Sequence, residues 1–295
     1  MAKRRIKDLL ARRGMVVLTA VPGILVFLML MGLLGRSKSI LTLHSFGELL
    51  FDSSWHPLRG EFGLAPFLMG TFWVTLAAMI LAVPISLLSA IYLSEYAPRR
   101  IREIVKPAVD LLAGLPSVVF GVWGVLMIVP LVAKIAPLFG KYSSGYSVLA
   151  GAIVLAIMVF PTIIHVSLEV FGSVPHALRE ASLSLGATKW ETVKHVVLRK
   201  GLAGMLASVA LGFSRAFGET MAVLMVVGNI PEIPKSVFDS AYPLPALLAN
   251  NYGEMMSIPL YDGALMLSAL VLLLIVLIFN VVARIILIKA ERKAE

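Results

Sequence analysis

Six predominantly apolar runs, each about twenty residues or longer, constrain this chain more tightly than any single motif in it. A helix of roughly that length crosses the hydrocarbon core of a bilayer. Inside that core every backbone N–H and C=O must find a partner within the protein, which favours helices. The runs are read at 15–34, 66–93, from near Pro107 through LAGLPSVVFGVWG, at 147 to about 170, at 201–228, and from about 260 to 288. Composition agrees: 59% of residues are hydrophobic and 15% charged, against roughly 45–50% and about 25% in soluble domains. The expected fold is an all-α integral membrane protein, a single six-transmembrane-helix bundle. No repeat of solenoid period and no low-complexity linker divides it. The first run is longer than the apolar core of a signal peptide and ends without a small-residue cleavage site, so it reads as an uncleaved span.

The formal net charge of +9 is a matter of topology. If both termini and the loops 94–107 and 171–200 share one side, that side holds 19 of the 26 Lys and Arg residues, and the other holds six. The positive-inside rule then makes both termini and those loops cytoplasmic. The basic residues face lipid and water at a membrane surface, which leaves no nucleic-acid site to account for.

Residues 173–200, SVPHALREASLSLGATKWETVKHVVLRK, are the one long polar segment rich in helix signals. Pro175 suits a first helical turn, and Gly186 suits a stop. Thr188 and Glu191 have capping-box spacing, predicting a second helix on which Trp190, Val193 and Val197 share a face. Two readings stand for these helices: a docking surface for a soluble partner, or an amphipathic loop on lipid headgroups.

Arg215 lies about 21 Å along a helix starting at Gly201, close to the bilayer centre. An Arg there costs at least about 2.5–3.5 kcal/mol on insertion scales. Glu219 follows four residues on, on the same helix face, and partly neutralises it. The pair either lines the path of an anion, whose oxygens a guanidinium fits bidentately, or fixes helix packing. Ser214 and Thr220 sit beside it. Gly121, Gly124, Gly212 and Gly218 read as close helix approaches. At Pro116 and Ser117 the third span is interrupted, which serves pore lining and simple kinking equally well. His165 and Glu169, four apart near the end of the fourth span, read as a local hydrogen-bonded pair.

Several chemistries are excluded by what is missing. There is no cysteine for a disulfide, a thiolate site or cysteine catalysis. No P-loop occurs, since Gly140–Lys141 continues into Tyr142. No zinc-protease motif, nucleophile elbow or metal cluster is present either. The chain is expected to be no enzyme, to bind no metal and to need no cofactor.

The polar segment also carries Glu180-Ala181-Ser182, then Gly186 after three intervening residues, then Val196-Val197-Leu198 after nine more. It resembles the EAA loop of ABC importer permeases, with pattern EAA-x3-G-x9-I-x-L-P. It departs at Ser182, Val196 and Arg199, where that family has alanine, isoleucine and proline. The stretches FGLAPFLMGTFWVTLAAMILAVPISLLSAIYLSEYAPRR, LAGLPSVVFGVWG and LGFSRAFGETMAVLMVVGN look like permeases of phosphate importers. RAFGETMAV is closer to the PstC-type subunit than to its PstA-type partner. The resemblance is good over about 62–230.

It implies a fold of the type I ABC importer permease kind, with a basic N-terminus, first helix and external loop over 1–65. A permease core over 66–288 would hold the cytoplasmic coupling loop 173–200, and 289–295 would be a cytoplasmic tail. It implies alternating access and phosphate import across the plasma membrane. The implied partners are a PstA-type permease, a PstB-type ATP-binding dimer, an extracytoplasmic PstS-type phosphate-binding protein and membrane lipid. Carried over, Glu180, Ala181, Gly186 and Leu198 would couple to the ATPase. Arg215, Glu219, Ser117 and Thr220 would lie on the substrate's route. Three rivals remain in view: a permease for molybdate or sulfate, an ion-gradient-driven carrier, and a membrane scaffold or phosphate sensor. The loop 229–259, with Pro231, Pro234, Pro243 and Pro245, is either a rigid cap or a binding-protein contact.

Overall fold

A computed structural model of the chain describes the backbone of residues 2–254, 258 and 260–294, and the side chains among these from 11 to 289. The basic side chains of residues 1–10, those of the tail beyond Lys289, and residues 255–257 and 259 of the proline-rich loop lie outside the described residues. Among the described residues six helices are long and apolar enough to cross a membrane: Ala11–Leu41, Ala65–Tyr96, Ser117–Phe139, Val148–Ser173, Lys189–Phe217 and Tyr261–Lys289.

Helix α1 (Ala2–Leu41) runs a full two turns beyond the first apolar run. The chain then folds over the bundle end through α2 (Phe46–Phe51) and a two-stranded antiparallel ribbon, β1 (Trp55–His56) with β2 (Glu61–Phe62). The order of this loop has an aromatic cause. Trp55 packs edge-on against Phe67 at 4.9 Å and Phe62 at 5.7 Å between ring centroids, and tilted against Tyr261.

Helix α3 (Ala65–Ile91) packs chiefly on α7 (Val148–Ser173), and with α10 (Leu198–Phe217) these form the centre of the bundle. Helix α13 (Tyr261–Ala294) packs on α1 and α10. Ser147 caps α7, its hydroxyl accepting from the Ala150 N–H, as short hydroxyl side chains do at helix starts. Two buried hydroxyls, Ser167 and Ser208, bond at 2.9 Å between α7 and α10. Small residues let the spans close up as expected at three places. A Cβ at Gly121 would meet Met225 Sδ at 2.5 Å; at Gly124, Val154; and at Gly212, Ile163.

The third span differs from expectation. Pro107 does not begin it, and 94–107 is not simply a loop. Arg99–Gly114 forms an amphipathic helix, α4, with Pro107 inside it. It leaves Ile104 and Leu111 exposed and buries Val109. The span proper begins after Leu115 and Pro116, both extended, with α5 (Ser117–Trp123), a π-helical turn at Gly124–Ile128 and α6 (Val129–Ile135). Arg99, Arg100, Arg102 and Lys106 crowd the first two turns of α4, too many charges for a bilayer core.

The proline-rich loop is tied into the bundle. Pro243 caps α12 (Leu244–Asn251), Pro245 occupies its first turn, and Leu244, Ala246 and Leu247 are buried. The buried Thr71 hydroxyl accepts the Leu244 N–H at 2.8 Å and donates to the Phe67 carbonyl at 2.7 Å. Thr71→Val preserves shape but strands that N–H. Thermal unfolding of the purified chain is expected to show a loss of about 1–3 kcal/mol, and an unchanged midpoint would remove the anchor role.

Candidate functional site

Two regions carry the expected chemistry, and one helical unit joins them. The first is the polar loop at one end of the bundle. Pro175 precedes α8 (His176–Ser184), and Gly186 ends that segment with φ of +86°, the left-handed geometry a glycine stop supplies. Thr188 caps α9 (Lys189–Thr192), completing the capping box. Its hydroxyl accepts from the Glu191 N–H at 3.3 Å, and the Glu191 carboxylate accepts from the Thr188 N–H at 2.7 Å.

A π-helical turn, Val193–Val197, then feeds α9 directly into α10, so Arg199, where the resembled pattern has proline, sits inside a helix. Ser182, the departure from alanine, bonds its hydroxyl to that of Thr192 at 2.9 Å and so pins α8 to α9.

The expected apolar face splits in two. Val193 and Val197 are buried, whereas Trp190 is 54% exposed. Trp190 joins Leu178, Leu183 and Leu185 as large apolar side chains displayed on a polar loop. Glu180, Ala181 and Gly186 are exposed beside them. Leu198 instead packs into the cluster of Ala90, Phe171, Val174 and Val197 beneath the loop.

Sequence reasoning missed the strongest polar contact here. Arg179 bonds Glu95 side-on through the two nitrogens of one guanidinium edge, Nη2 to Oε1 at 2.7 Å and Nε to Oε2 at 3.3 Å. It also donates to the carbonyls of Phe171, at 2.7 Å, and Val174. The two side chains are only 13% and 10% exposed. The available signal was an acid at the end of the second span and an Arg early in the loop, 84 residues apart.

The second region is the fifth span. It is not one helix over 201–228. Helix α10 stops at Phe217, Gly218 to Thr220 are non-helical, and α11 (Met221–Val226) resumes the course. Gly218 therefore serves the break and not a close approach, since a Cβ there would meet nothing nearer than 3.7 Å. The break also separates the charged pair. Arg215 stays in the last turn of α10, where a cation complements the helix dipole. Its side chain is exposed on this chain and donates to Thr162 Oγ1 of α7 at 2.9 Å.

Glu219 lies past the helix end. Its carboxylate accepts the Ala222 N–H at 3.3 Å, capping α11, and it lines a narrow cleft with Thr71, Thr75 and Pro243. Among the described residues no ion pair joins Arg215 and Glu219. Thr220 donates to the Gly218 carbonyl at 3.3 Å. Ser214 donates to Asn280 of α13 at 3.0 Å. Ser117 opens α5, which meets α11 through Gly121, and no hydrogen bond links it to Arg215, Glu219 or Thr220. The expected His165–Glu169 pair is replaced: His165 Nε2 lies 2.9 Å from Asp110 Oδ1 on α4. That acid comes close because 99–114 is a helix against α7.

Residues 82–292 match the family model described as "Binding-protein-dependent transport system inner membrane component". The phosphate transport system permease protein PstC of Xylella fastidiosa is 36% identical over 258 residues, covering 82% of this chain and 79% of its own. The chain belongs to the PstC family of ABC importer permeases. A probable ABC transporter permease protein, YqgH of Bacillus subtilis, is also 36% identical, over 80% of this chain and 76% of its own. Among solved structures, the inward-facing MetNI methionine ABC transporter superposes with a TM-score of 0.62 at 18% identity. It covers 80% of this PstC-family chain and 99% of its own, and shows the type I importer permease fold. The match over 82–292 takes in the exposed loop helices and the broken fifth span, and leaves α1 and the aromatic loop outside.

Proposed function

We propose that this chain is a transmembrane subunit of an ATP-driven inorganic phosphate importer working by alternating access. The observation that carries the proposal is the continuous helical unit Lys189–Phe217. Exposed loop helices stand at one end of it, and about 39 Å away, at 1.5 Å per residue, stands the outward-facing Arg215. A displacement imposed on α9 moves Arg215 with it, because nothing between them is broken. Charge supports the orientation: both termini and 173–200 belong on the cytoplasmic side of the plasma membrane, the side richer in Lys and Arg.

In this reading residues 66–288 form the permease core, 1–65 add a span and an external cap, and 289–295 form a cytoplasmic tail. A PstB-type ATPase dimer docks on Glu180, Ala181 and Gly186, with Trp190, Leu183 and Leu185 as its apolar contacts and Leu198 as the floor beneath. ATP hydrolysis belongs to that partner. A PstA-type permease covers the Arg215 face, and a PstS-type protein delivers phosphate at the opposite end. Arg215 meets the anion with its guanidinium fork, and Glu219, Ser117 and Thr220 border the route.

Affinity purification of the full chain from cells tests the coupling. The reading expects an ATP-binding subunit to copurify and to be lost when Trp190 and Leu185 are both replaced by Glu. An ATPase that fails to associate with the wild-type chain would refute it.

A further inference from the structure

The end of the second span is a π-helical turn, Tyr92–Tyr96, and three separate elements converge on it. From α8, Arg179 grips Glu95 with two bonds and simultaneously holds the Phe171 and Val174 carbonyls at the end of α7. From α9, the Lys189 ammonium sits over the Tyr96 ring, 4.8 Å from its centroid. From α4, Arg102 Nη2 donates to the Ser94 carbonyl at 2.9 Å.

A π turn carries one residue more than an α turn and is found frequently at functional sites. Here it is braced by cations from three elements, α4, α8 and α9. We propose that this turn is the receiver through which the loop 173–200 drives the bundle, with Arg179–Glu95 as its positioning link. The inference rests on the reading of the previous section and deepens it.

The geometry gives the link two outputs. Movement of α8 pulls the ends of α3 and α7 together, because Arg179 holds both, and those helices are packed along the bundle centre. Movement passed to α4 through Ser94 and Arg102 reaches its other end at Gly114, directly before the Leu115–Pro116 interruption and Ser117. At the far end of α3, Thr71 and Thr75 line the cleft that holds Glu219. One guanidinium thus joins the partner-facing helices to both borders of the proposed route. Its low exposure suits the task, since a solvated surface pair gives way at little cost.

The test uses the whole importer complex in proteoliposomes, with Glu95→Gln, Arg179→Lys, the double variant, and Glu103→Gln as control. Glu103 pairs with Arg99 on the exposed face of α4. The readout is phosphate imported per ATP hydrolysed, normalised to assembled complex. Arg179→Lys keeps the charge but loses the fork, and Glu95→Gln keeps the shape.

Each is expected to lower the ratio about tenfold, the worth of one charge-assisted hydrogen bond. The double variant is expected to fall no further than the singles, because they break one unit. The Glu103 control is expected to match wild type. Reduced assembly with a wild-type ratio per complex would make Arg179–Glu95 a structural clamp and overturn the inference. An active wild type with unchanged variants would also overturn it alone. A wild-type complex without ATP-driven uptake would bring down the reading beneath it as well.

Discussion

Arg215→Gln is expected to abolish phosphate uptake, by about a hundredfold or more, while the complex still assembles. The magnitude follows from the chemistry of the contact: hydrogen bonds to a charged group contribute about 1.5–3 kcal/mol each, and glutamine offers neither the charge nor the second edge of the fork. Assembly survives because Arg215 gives the fold little. Among the described residues its guanidinium makes one hydrogen bond, to Thr162, and the side chain is exposed on this chain. Two companions separate the roles. Thr162→Val removes that bond and keeps the cation, so it should retain most uptake. Arg215→Lys keeps the charge without the planar fork and should fall between. Wild-type uptake by Arg215→Gln would return the residue to helix packing.

Gly145→Ala is expected to be among the most destabilising single substitutions in the chain, about 2–5 kcal/mol from backbone strain and overpacking together. Gly145 has φ of +94°, and an added Cβ would fall on the Val129 carbonyl, a backbone group that cannot step aside. The turn around it is also fastened on both flanks. Gly145 donates its N–H to Ser143 Oγ at 3.1 Å, and Ser143 donates to the Phe238 carbonyl at 2.8 Å. Ser147 donates to the Gly145 carbonyl at 3.1 Å, and Ser240 to the Tyr146 carbonyl at 2.9 Å. Relaxing the glycine therefore pulls on the start of α7 and on the loop around 236–240 together. Gly140→Ala is the control. It also has positive φ, +69°, but its added Cβ would meet open space, so only the strain of about 1–2 kcal/mol remains. Thermal melts of the two purified variants measure the difference, and equal shifts would remove the clash argument.

What could be read without coordinates depended on the range of the interaction responsible. The number of spans, the capping box at Thr188 and Glu191 and the stop at Gly186 are local, fixed by runs and spacings of a few residues, and appear as expected, although the third and fifth spans have other bounds. Two local readings failed because a helix was assumed to continue or to be absent. Gly218 breaks the fifth span, so the four-residue spacing of Arg215 and Glu219 no longer places them together. The basic stretch at 99–106 hides an amphipathic helix, whose Asp110 then takes His165 from its expected partner Glu169. The contacts that organise the loop end, Glu95 with Arg179 and Tyr96 with Lys189, join residues far apart in the chain. No spacing rule reaches across such distances. Trp190 exposes the limit of periodicity from the other side: it shares a helical face with Val193, yet only Val193 has a neighbouring helix to cover it.

The most direct measurement is uptake of labelled phosphate by the complex reconstituted in vesicles, with and without ATP, against excess molybdate and sulfate. The account predicts uptake that requires ATP and persists in the presence of both competitors. Uptake suppressed by molybdate or sulfate would keep the architecture and change the anion. Uptake that proceeds without ATP would contradict the central claim, because the loop helices and the unbroken path from Lys189 to Arg215 would then have no motor to serve.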